Sequence, residues 1–422
     1  MNPYYIVITA CLVIIASYFF SLVSQKTNIP SVLMLIGLGI IIKYFAVWLG
    51  IKDFDLQPLL ELLGIVGLIL IVLEAALDLK ITRDKKALIT TSFLIAAGSL
   101  VVTSMLIATL FLFYFDLPFL NCLVYSIPLS ITSSAIVIPS LSNMPIEKRE
   151  FLTYESAFSD ILGIIFFYSL IQAVGMDSAG AITGALFSNI SLTLILSVLL
   201  SLILVYFFQN VTSDIRLFLL IAILILFYSL GKLFHLSSLV LVMVFGLMLE
   251  NRNMLTNSRL SRFFKEDSIA DIHKDLRLIT IESSFTVRTF FFVIFGMTIV
   301  LSALFSYNVL FISGVIIILL FGFRYLVFRL FIKDNFFPEV LVAPRGLITL
   351  LLFYSMPDQF RASELNQPVM LLVIILSSLF MAYSLIRYRV LNPVENGKIK
   401  TLKPGIPVNA VSTENSAAKP EE

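Results

Sequence analysis

The sequence predicts an all-α polytopic membrane protein, on three observations. Hydrophobic residues make up 59% of the 422 residues and charged residues only 13%, whereas about a quarter of a soluble protein is charged. Mean hydropathy is +1.01, which places the chain outside the range of soluble globules. Long apolar runs recur along the chain with short polar stretches between them. A bundle of membrane-spanning helices satisfies all three observations.

Run length and polar breaks divide the chain into about thirteen apolar segments, which we number as spans in chain order. Spans one to thirteen cover residues 4–22, 31–49, 59–77, 87–113, 119–140, 151–174, 181–208, 215–230, 236–249, 281–303, 309–332, 340–354 and 368–386. We expect two inverted repeats of six spans, in halves 1–174 and 215–390, with span seven as a linker. The transmembrane domain then takes residues 1–390.

The distribution of basic residues predicts the orientation of the chain. Lysine and arginine cluster in the loops that follow spans three, five and nine, as at Lys80, Lys85 and Lys148, whereas the intervening loops carry few cations. Basic loops face the cytoplasm, so an odd number of spans puts the N-terminus outside and the C-terminus inside. The tail 391–422 is polar and poor in residues that could be buried, which predicts a disordered cytoplasmic segment.

Several functional classes are excluded by composition and spacing. The net charge is +2 and the basic residues are spread over loops, so no nucleic-acid partner is expected. Cys11 and Cys122 both fall in spans, which offers neither a disulfide framework nor a zinc site. The sequence has no nucleophile–base pair, metal cluster or phosphate-binding loop, so we expect neither an enzyme nor a cofactor.

Two spans at corresponding places in the two halves are interrupted. Span five carries Pro128 and Pro139 on either side of the hydroxyl residues within 130–134, and span twelve begins with Pro344, Arg345 and Gly346. These hydroxyl residues are Ser130, Thr132, Ser133 and Ser134. A broken helix frees carbonyl oxygens and amide groups that can hold ions. Matching breaks in two halves indicate a transporter site at the interface between repeats.

Span six contains acidic and hydroxyl side chains within a run of hydrocarbon, at Glu155, Ser156, Ser159 and Asp160. A charge at the centre of a bilayer costs about 3 kcal/mol by insertion scales, so an intramembrane carboxylate indicates function. At 100° per residue Ser156 and Asp160 share one helix face, whereas Glu155 and Asp160 are about 140° apart. The two acids are therefore expected to have different roles.

The stretch YESAFSDILG in span six resembles the ion-site signature of the monovalent cation/proton antiporter superfamily, in its sodium/proton branch. That signature consists of Glu-Ser, two further residues, and then Asn-Asp. The residues 132–135, TSSA, fall where that family has an unwound Thr-Asp-Pro segment. Further stretches agree in the right order: IPSVLMLIGLGI (29–40), GLILIVLEAALDLK (67–80), FTVRTFFFVIFG (285–296) and APRGLITLLL (343–352). The resemblance covers most of the chain up to about residue 386.

The resemblance implies an antiporter that exchanges Na⁺ or Li⁺ for H⁺, with Asp160 holding the cation and the proton in turn. Ser156 and Thr132 would be further ligands of Na⁺, which prefers oxygen, and Ser159, at the family's asparagine position, would belong to the same ion- and proton-binding set. The remaining role that the family implies is an ion pair between Glu155 and Arg288, mainly structural, because neither charge is tolerated alone in the membrane.

Two departures from the family pattern leave the ion and the stoichiometry open. Ser159 and Ser133 replace the family's asparagine and aspartate, so one central titrating carboxylate remains, which favours an electroneutral ratio of one to one. The serine-rich segment also resembles the potassium/proton exchanger branch. A passive cation channel and a membrane sensor without transport are the alternatives from other classes.

Ser133, Arg345, Glu74 and Asp78 are further candidates for a role in transport. Arg345 matches the family's arginine on the twelfth span, but it would equally cap a helix end. Glu74 and Asp78 near the cytoplasmic end of span three form either an acidic funnel for cations or pairs with Lys80 or another helix. The resemblance also implies a homodimer through spans one and seven and a place in the bacterial inner membrane.

Overall fold

The computed structural model describes residues 3–27, 29–48, 50, 56–115, 117–141, 144–173, 179–209, 216–233, 238–252, 266–331, 336–357, 360, 367–391, 394–395 and 398–399. The described chain forms the helices α1 Pro3–Thr27, α2 Ser31–Trp48, α3 Gln57–Leu77, α4 Lys86–Phe115, α5 Phe119–Ser130, α6 Ser134–Ser140, α7 Ile146–Ala173, α8 Ala179–Phe208, α9 Arg216–Leu233, α10 Ser238–Glu250, α11 Glu266–Thr298, α12 Leu301–Leu304, α13 Tyr307–Phe331, α14 Leu347–Tyr354 and α15 Gln367–Leu391. Short 3₁₀ turns lie at Arg83–Lys85 and Glu339–Leu341. The strands β1 Val394–Glu395 and β2 Lys398–Ile399 form a small antiparallel pair after α15.

The predicted all-α polytopic fold is confirmed. A helix lies in each of the thirteen predicted spans, and within the described ranges nine segments are long and apolar enough to cross a membrane, with α5 and α6 counted together. The number of thirteen crossings and the two inverted repeats stay predictions. The predicted disordered tail, 391–422, lies outside the described residues except for Leu391 and the two short strands.

The helices pack in two groups that meet along α7. In the first group α11 lies between α2 and α3, and α10 connects α3 with α8 and α9. In the second group α4 packs on α5, α7 and α13, and α15 packs on α13. The buried share of each apolar segment shows whether it lies inside the bundle or at its periphery. It is 83% for Phe119–Ser140 but only 11% for Val7–Ser24. Span five, the broken span formed by α5 and α6, therefore lies in the interior of the molecule.

The outer helices present apolar side chains at the surface. In α1 the side chains of Val7, Leu12 and Phe19 are exposed, and in α8 those of Leu199 and Ile203 are exposed as well. Such a face suits lipid and a second copy of the chain equally well. The homodimer therefore stays a prediction.

The closest approach between α2 and α11 depends on two glycines. A Cβ added to Gly39 would collide with the carbonyl oxygen of Val293, and a Cβ added to Gly296 would collide with that of Ile36. Lipid chains are as apolar as leucine, so membrane helices associate through close packing, and small residues let the backbones approach. These two glycines therefore fix how the first group is assembled.

We expect Gly39→Ala to lower the unfolding free energy by about 2 kcal/mol, because the added methyl group must push α2 and α11 apart. The matched control is Gly37→Ala on the same helix, where a Cβ meets nothing within 4 Å. Thermal unfolding in detergent measures both variants. Equal midpoints for Gly39→Ala and Gly37→Ala would contradict the close contact.

Candidate functional site

The candidate site lies where the two interrupted spans meet. Helix α5 ends at Ser130, the backbone is extended at Ile131 and Ser133, and α6 restarts at Ser134. The break leaves backbone amides without helical partners, and each of three finds a tertiary one. Thr132 donates to Ser159 Oγ at 2.9 Å, Ser133 donates to the Pro344 carbonyl at 2.9 Å, and Ser134 donates to Asp160 Oδ2 at 3.0 Å.

The carbonyl end of α5 is satisfied by residues of the opposite interrupted span. Arg345 Nε donates to the Leu129 carbonyl at 2.8 Å, and its Nη2 donates to the Ser130 carbonyl at 3.3 Å. Thr349 donates to the Pro128 carbonyl at 2.8 Å. A cation at the C-terminus of a helix also complements the partial negative charge there. Of the two roles predicted for Arg345, the contacts in the structure match the capping of a helix end.

Asp160 lies at the amino end of α6 and is 2% exposed. Its Oδ2 atom accepts from both the backbone amide and the hydroxyl of Ser134. Its Oδ1 atom has no hydrogen-bond partner within the described part of the chain. A buried carboxylate with one bonded and one unbonded oxygen can accept a proton or contribute a ligand to a cation.

The other predicted ligands are also buried, but they make different contacts. Ser159 accepts from the Thr132 amide, which ties α7 to the unwound segment, whereas Ser156 donates to the Thr153 carbonyl of its own helix at 3.2 Å. Thr132, Ser159 and Glu155 line a small cavity together with Arg345. The structure thus brings Thr132 and Ser159 together, and it pairs Asp160 with Ser134.

The predicted ion pair between Glu155 and Arg288 is wrong. Arg324 of α13 pairs with Glu155 instead, with Nη1 on Oε1 and Nη2 on Oε2, the latter at 2.8 Å. Arg324 also donates to the carbonyls of Glu339 and Val342 in the second interrupted span. The guanidinium has five donors in one plane, so it can satisfy a carboxylate and freed carbonyls at once. This fit explains why Glu155 takes Arg324.

Arg288 belongs to a second cluster, which also touches the crossing, because its Nη1 donates to the Ala135 carbonyl of α6 at 3.3 Å. Its Nη2 lies 3.6 Å from Glu74 Oε2, and Ser284 donates to the same oxygen. Asp78 pairs with Arg277 at 2.7 Å. Both acids are therefore paired with arginines of α11 and not with Lys80, which settles their partners in favour of another helix. Glu74, Asp78, Arg288 and Ser134 line one cavity, which we call the α3 vestibule.

Ser133 has a buried hydroxyl that finds no hydrogen-bond partner among the described residues. A Cβ added to Gly346 would collide with this hydroxyl, so the two interrupted spans touch at Ser133 and Gly346. The residue that takes the place of the family's acid therefore packs against the opposite span and has no ion partner in the described chain.

Two residues of the site are absent from the sequence prediction, Ser134 and Arg324. Arg324 lies inside span eleven, and an intramembrane cation calls for a buried acid, so its position already pointed to a partner. Ser134 is the last of the hydroxyl residues 130–134. Its contact depends on the residue at which the helix restarts, which composition does not define.

Comparisons with known proteins agree with this arrangement. The family model "Sodium/hydrogen exchanger, transmembrane" matches residues 8–387. Two solved structures of the sodium proton antiporter MjNhaP1 from Methanocaldococcus jannaschii are similar in fold. The structure at pH 8 gives a TM-score of 0.67 at 21% identity, covering 91% of this chain and 100% of that one. The electron microscopy map gives 0.65 at 20% identity, covering 92% and 96%.

No curated protein matches the sequence. At 20–21% identity, the likeness to the solved structures shows a shared fold. The family match, in contrast, extends over nearly the whole described chain and includes both interrupted spans and all of α7. The resemblance noted from the sequence is thereby confirmed, and the chain belongs to the sodium/hydrogen exchanger family of integral membrane transporters, which are not enzymes.

Proposed function

We propose that the protein exchanges Na⁺ or Li⁺ for H⁺ across the membrane, and that the cation and the proton compete for Asp160. The observation that carries the proposal is the unbonded Oδ1 of this buried carboxylate, at the crossing of the interrupted spans. An ionised carboxylate in such a place is costly until a cation or a proton joins it. If only a loaded Asp160 lets the two helix groups move, exchange follows from competition alone.

The proposed Na⁺ ligands are Asp160, Ser156 and Thr132. Sodium is a hard cation that oxygen ligands satisfy, and these residues lie on α7 and on the unwound segment next to it. Ser159 supports the set, since it accepts from the Thr132 amide and leaves the Thr132 carbonyl and hydroxyl to face a guest. The Ser133 hydroxyl has no hydrogen-bond partner in the described chain, and it is a candidate for an additional oxygen ligand of the cation.

Charge balance at the crossing supports an electroneutral exchange. Within the described chain the buried charges there are the acids Asp160 and Glu155 and the arginines Arg324 and Arg345, and the buried Glu339 beside them is paired with Lys148. With Asp160 ionised these charges cancel, and either a monovalent cation or a proton adds the same single charge. Both loaded states then carry equal charge through the membrane, so one cation for one proton moves no net charge.

The α3 vestibule is the proposed entry to Asp160 from the cytoplasmic side. It is lined by Glu74 and Asp78, near the end of α3 that leads into the basic turn at Arg83–Lys85. Ser134 lines the vestibule and also bonds Asp160, so it joins the cavity to the carboxylate. Glu74 and Asp78 are each paired with an arginine of α11, so in this proposal they give the path polar walls of balanced charge and do not act as a cation funnel.

The decisive experiment measures uptake of Na⁺, Li⁺ and K⁺ into proteoliposomes driven by a pH gradient. We expect Asp160→Asn to abolish uptake, at least about a hundredfold, because an amide neither ionises nor binds a proton in exchange. The matched control is Glu282→Gln, an exposed acid on α11, which should leave uptake unchanged. Circular dichroism and size-exclusion profiles establish that both variants are folded.

The same assay separates the alternatives. A strong preference for K⁺ over Na⁺ and Li⁺ would assign the chain to potassium/proton exchange at the same site, which the serine-rich segment 132–135 would suit. Flux that follows voltage but is not driven uphill by the pH gradient would indicate a channel. Normal exchange by folded Asp160→Asn would contradict the competition mechanism.

We further expect that the Glu155–Arg324 pair stabilises the fold and does not bind the guest. Arg324→Gln should lower the unfolding free energy by about 3 kcal/mol or more, because it leaves a buried carboxylate without its partner. The double variant Glu155→Gln/Arg324→Gln should recover part of that loss and retain exchange. The matched control on the same helix is Arg329→Gln, which is exposed. A double variant no more stable than Arg324→Gln would argue against pairing.

A further inference from the structure

Helix α7 is tied to its neighbours toward both of its ends by a tyrosine hydroxyl. Tyr154 donates to the Lys80 carbonyl at 2.6 Å, in the connection that follows α3. Tyr168, fourteen residues later, donates to Ser355 Oγ at 3.2 Å, and its side chain is also hydrogen-bonded to that of Tyr228 in α9. Tyr154 is 7% exposed and Tyr228 is 2% exposed, so water competes little with these bonds. The carboxylate of α7 that bonds the broken span lies between the two ties and takes part in neither.

The two tyrosines lie on one face of α7, the face toward the first helix group. Fourteen residues at 100° per residue leave their side chains about 40° apart around the helix and about 21 Å apart along it. Tyr228 belongs to α9, and α7 also packs on α3, α8 and α10 of the first group. The ties therefore hold this face of α7 against the first group at two separate heights.

Asn251 fixes the connection that receives Tyr154. It directly follows α10 and is 8% exposed. Its Oδ1 accepts from the Ile81 amide at 2.7 Å and its Nδ2 donates to the Leu79 carbonyl at 3.0 Å, so one side-chain amide holds both neighbours of Lys80. The Lys80 carbonyl itself accepts from Tyr154. Because the connection is held by the residue that ends α10, the bond from Tyr154 ties α7 to the first group and not to a freely moving loop.

Each tie borders a cavity that is lined by α3. Asp78, which lines the α3 vestibule, directly precedes the connection that Tyr154 holds. A second cavity, of about 280 Å³, lies toward the N-terminal end of α3, where it is lined by Leu68 and by both partners of Tyr168. We call it the Tyr228 cavity. Helix α3 therefore borders one cavity toward each of its ends, and each cavity has one tyrosine tie beside it.

We propose that Tyr154 and Tyr168 are positioning residues for exchange, two latches of which one must release before Asp160 can be reached from the cavity beside that latch. The inference rests on the proposed function, since it describes how one carboxylate meets each side of the membrane in turn. A helix tied at two heights on one face cannot tilt or slide against the group that holds it. Release of the Tyr154 latch lets α7 open toward the α3 vestibule while the Tyr168 latch keeps the Tyr228 cavity closed, and release of the Tyr168 latch does the reverse. The latches thereby prevent both cavities from reaching Asp160 at once, which would let ions leak.

The test measures how fast a buried cysteine in each cavity reacts with a charged methanethiosulfonate reagent. Ala75→Cys reports on the α3 vestibule and Leu68→Cys on the Tyr228 cavity, and both positions are buried in the structure. The background carries Cys11→Ser and Cys122→Ala, which remove the native thiols. Lipid nanodiscs leave both faces of the protein open to the reagent, so the result does not depend on the orientation of the chain.

We expect Tyr154→Phe to raise the labelling rate of Ala75→Cys about fivefold and to leave that of Leu68→Cys unchanged, because one buried neutral hydrogen bond shifts an equilibrium by about that factor. Tyr168→Phe should do the opposite and raise the rate at Leu68→Cys alone. Opposite effects at the two cavities distinguish a pair of latches from a general loosening of the fold.

Two further variants sharpen the result. Tyr228→Phe removes the tie to α9 but leaves the bond from Tyr168 to Ser355, so it should reproduce the effect of Tyr168→Phe. The matched control is Tyr325→Phe, an exposed tyrosine of α13, which should change neither labelling rate. Size-exclusion profiles establish that all variants are folded.

The inference is overturned if Tyr154→Phe and Tyr168→Phe each raise the labelling rates in both cavities, because the hydroxyls then only stabilise the fold. Unchanged rates in the folded variants would overturn it as well. Labelling does not require transport, so the expected pattern in a protein that fails to exchange cations in proteoliposomes would refute the proposed function and retain the latches. Normal exchange together with unchanged labelling rates would refute the latches alone.

Discussion

The fold depends on one constraint, that backbone polar groups freed inside a membrane must find partners within the protein. Span five gives up helical bonds between Ser130 and Ser134, and span twelve is non-helical over residues 342–346, before Leu347. Each break supplies what the other lacks. The Ser133 amide donates to the Pro344 carbonyl, and Arg345 returns the guanidinium that covers the end of α5. Neither interruption is stable without the other, so the two halves of the chain must meet here.

The same constraint places charge at the centre of the molecule. The restart of α6 presents amides that favour a negative group, and Asp160 lies there; the end of α5 presents carbonyls that favour a positive group, and Arg345 lies there. Arg324 plays the corresponding part for the carbonyls of Glu339 and Val342, with Glu155 as its counter-ion. The buried charges are therefore part of the packing of the broken helices, and the proposed transport mechanism uses one of them, Asp160.

The sequence predicts the helices and the breaks well, because both are local properties. Apolar run length places a helix in every predicted span, and proline with hydroxyl residues places the break in span five. The intramembrane position of Asp160 and Glu155 also follows from hydropathy alone. Helical spacing then separates the faces of these two acids, but it does not say which helix lies opposite either face.

Partner choice is where sequence reasoning fails. Arg288, Arg324 and Arg345 all lie in apolar segments, and each could have been the counter-ion of Glu155. The structure selects Arg324 because α13 also borders the freed carbonyls of span twelve, which is a tertiary relationship. Ser134 was missed for a related reason: the hydroxyl residues 130–134 look alike in sequence, and only the point at which α6 restarts aims one of them at Asp160.

Glu155 and Asp160 differ in their contacts, and this difference is the reason that the proposed function gives them different roles. Both lie on α7 and both are 2% exposed, so burial does not distinguish them. Both oxygens of Glu155 accept from the Arg324 guanidinium, so a cation or a proton would have to displace this charged group in order to bind there. Asp160 is held at one oxygen by neutral donors, and its other oxygen has no bond in the described chain. In the proposed exchange a proton and a cation therefore replace each other on Asp160 at little structural cost, whereas the same replacement on Glu155 would break the ion pair at the crossing.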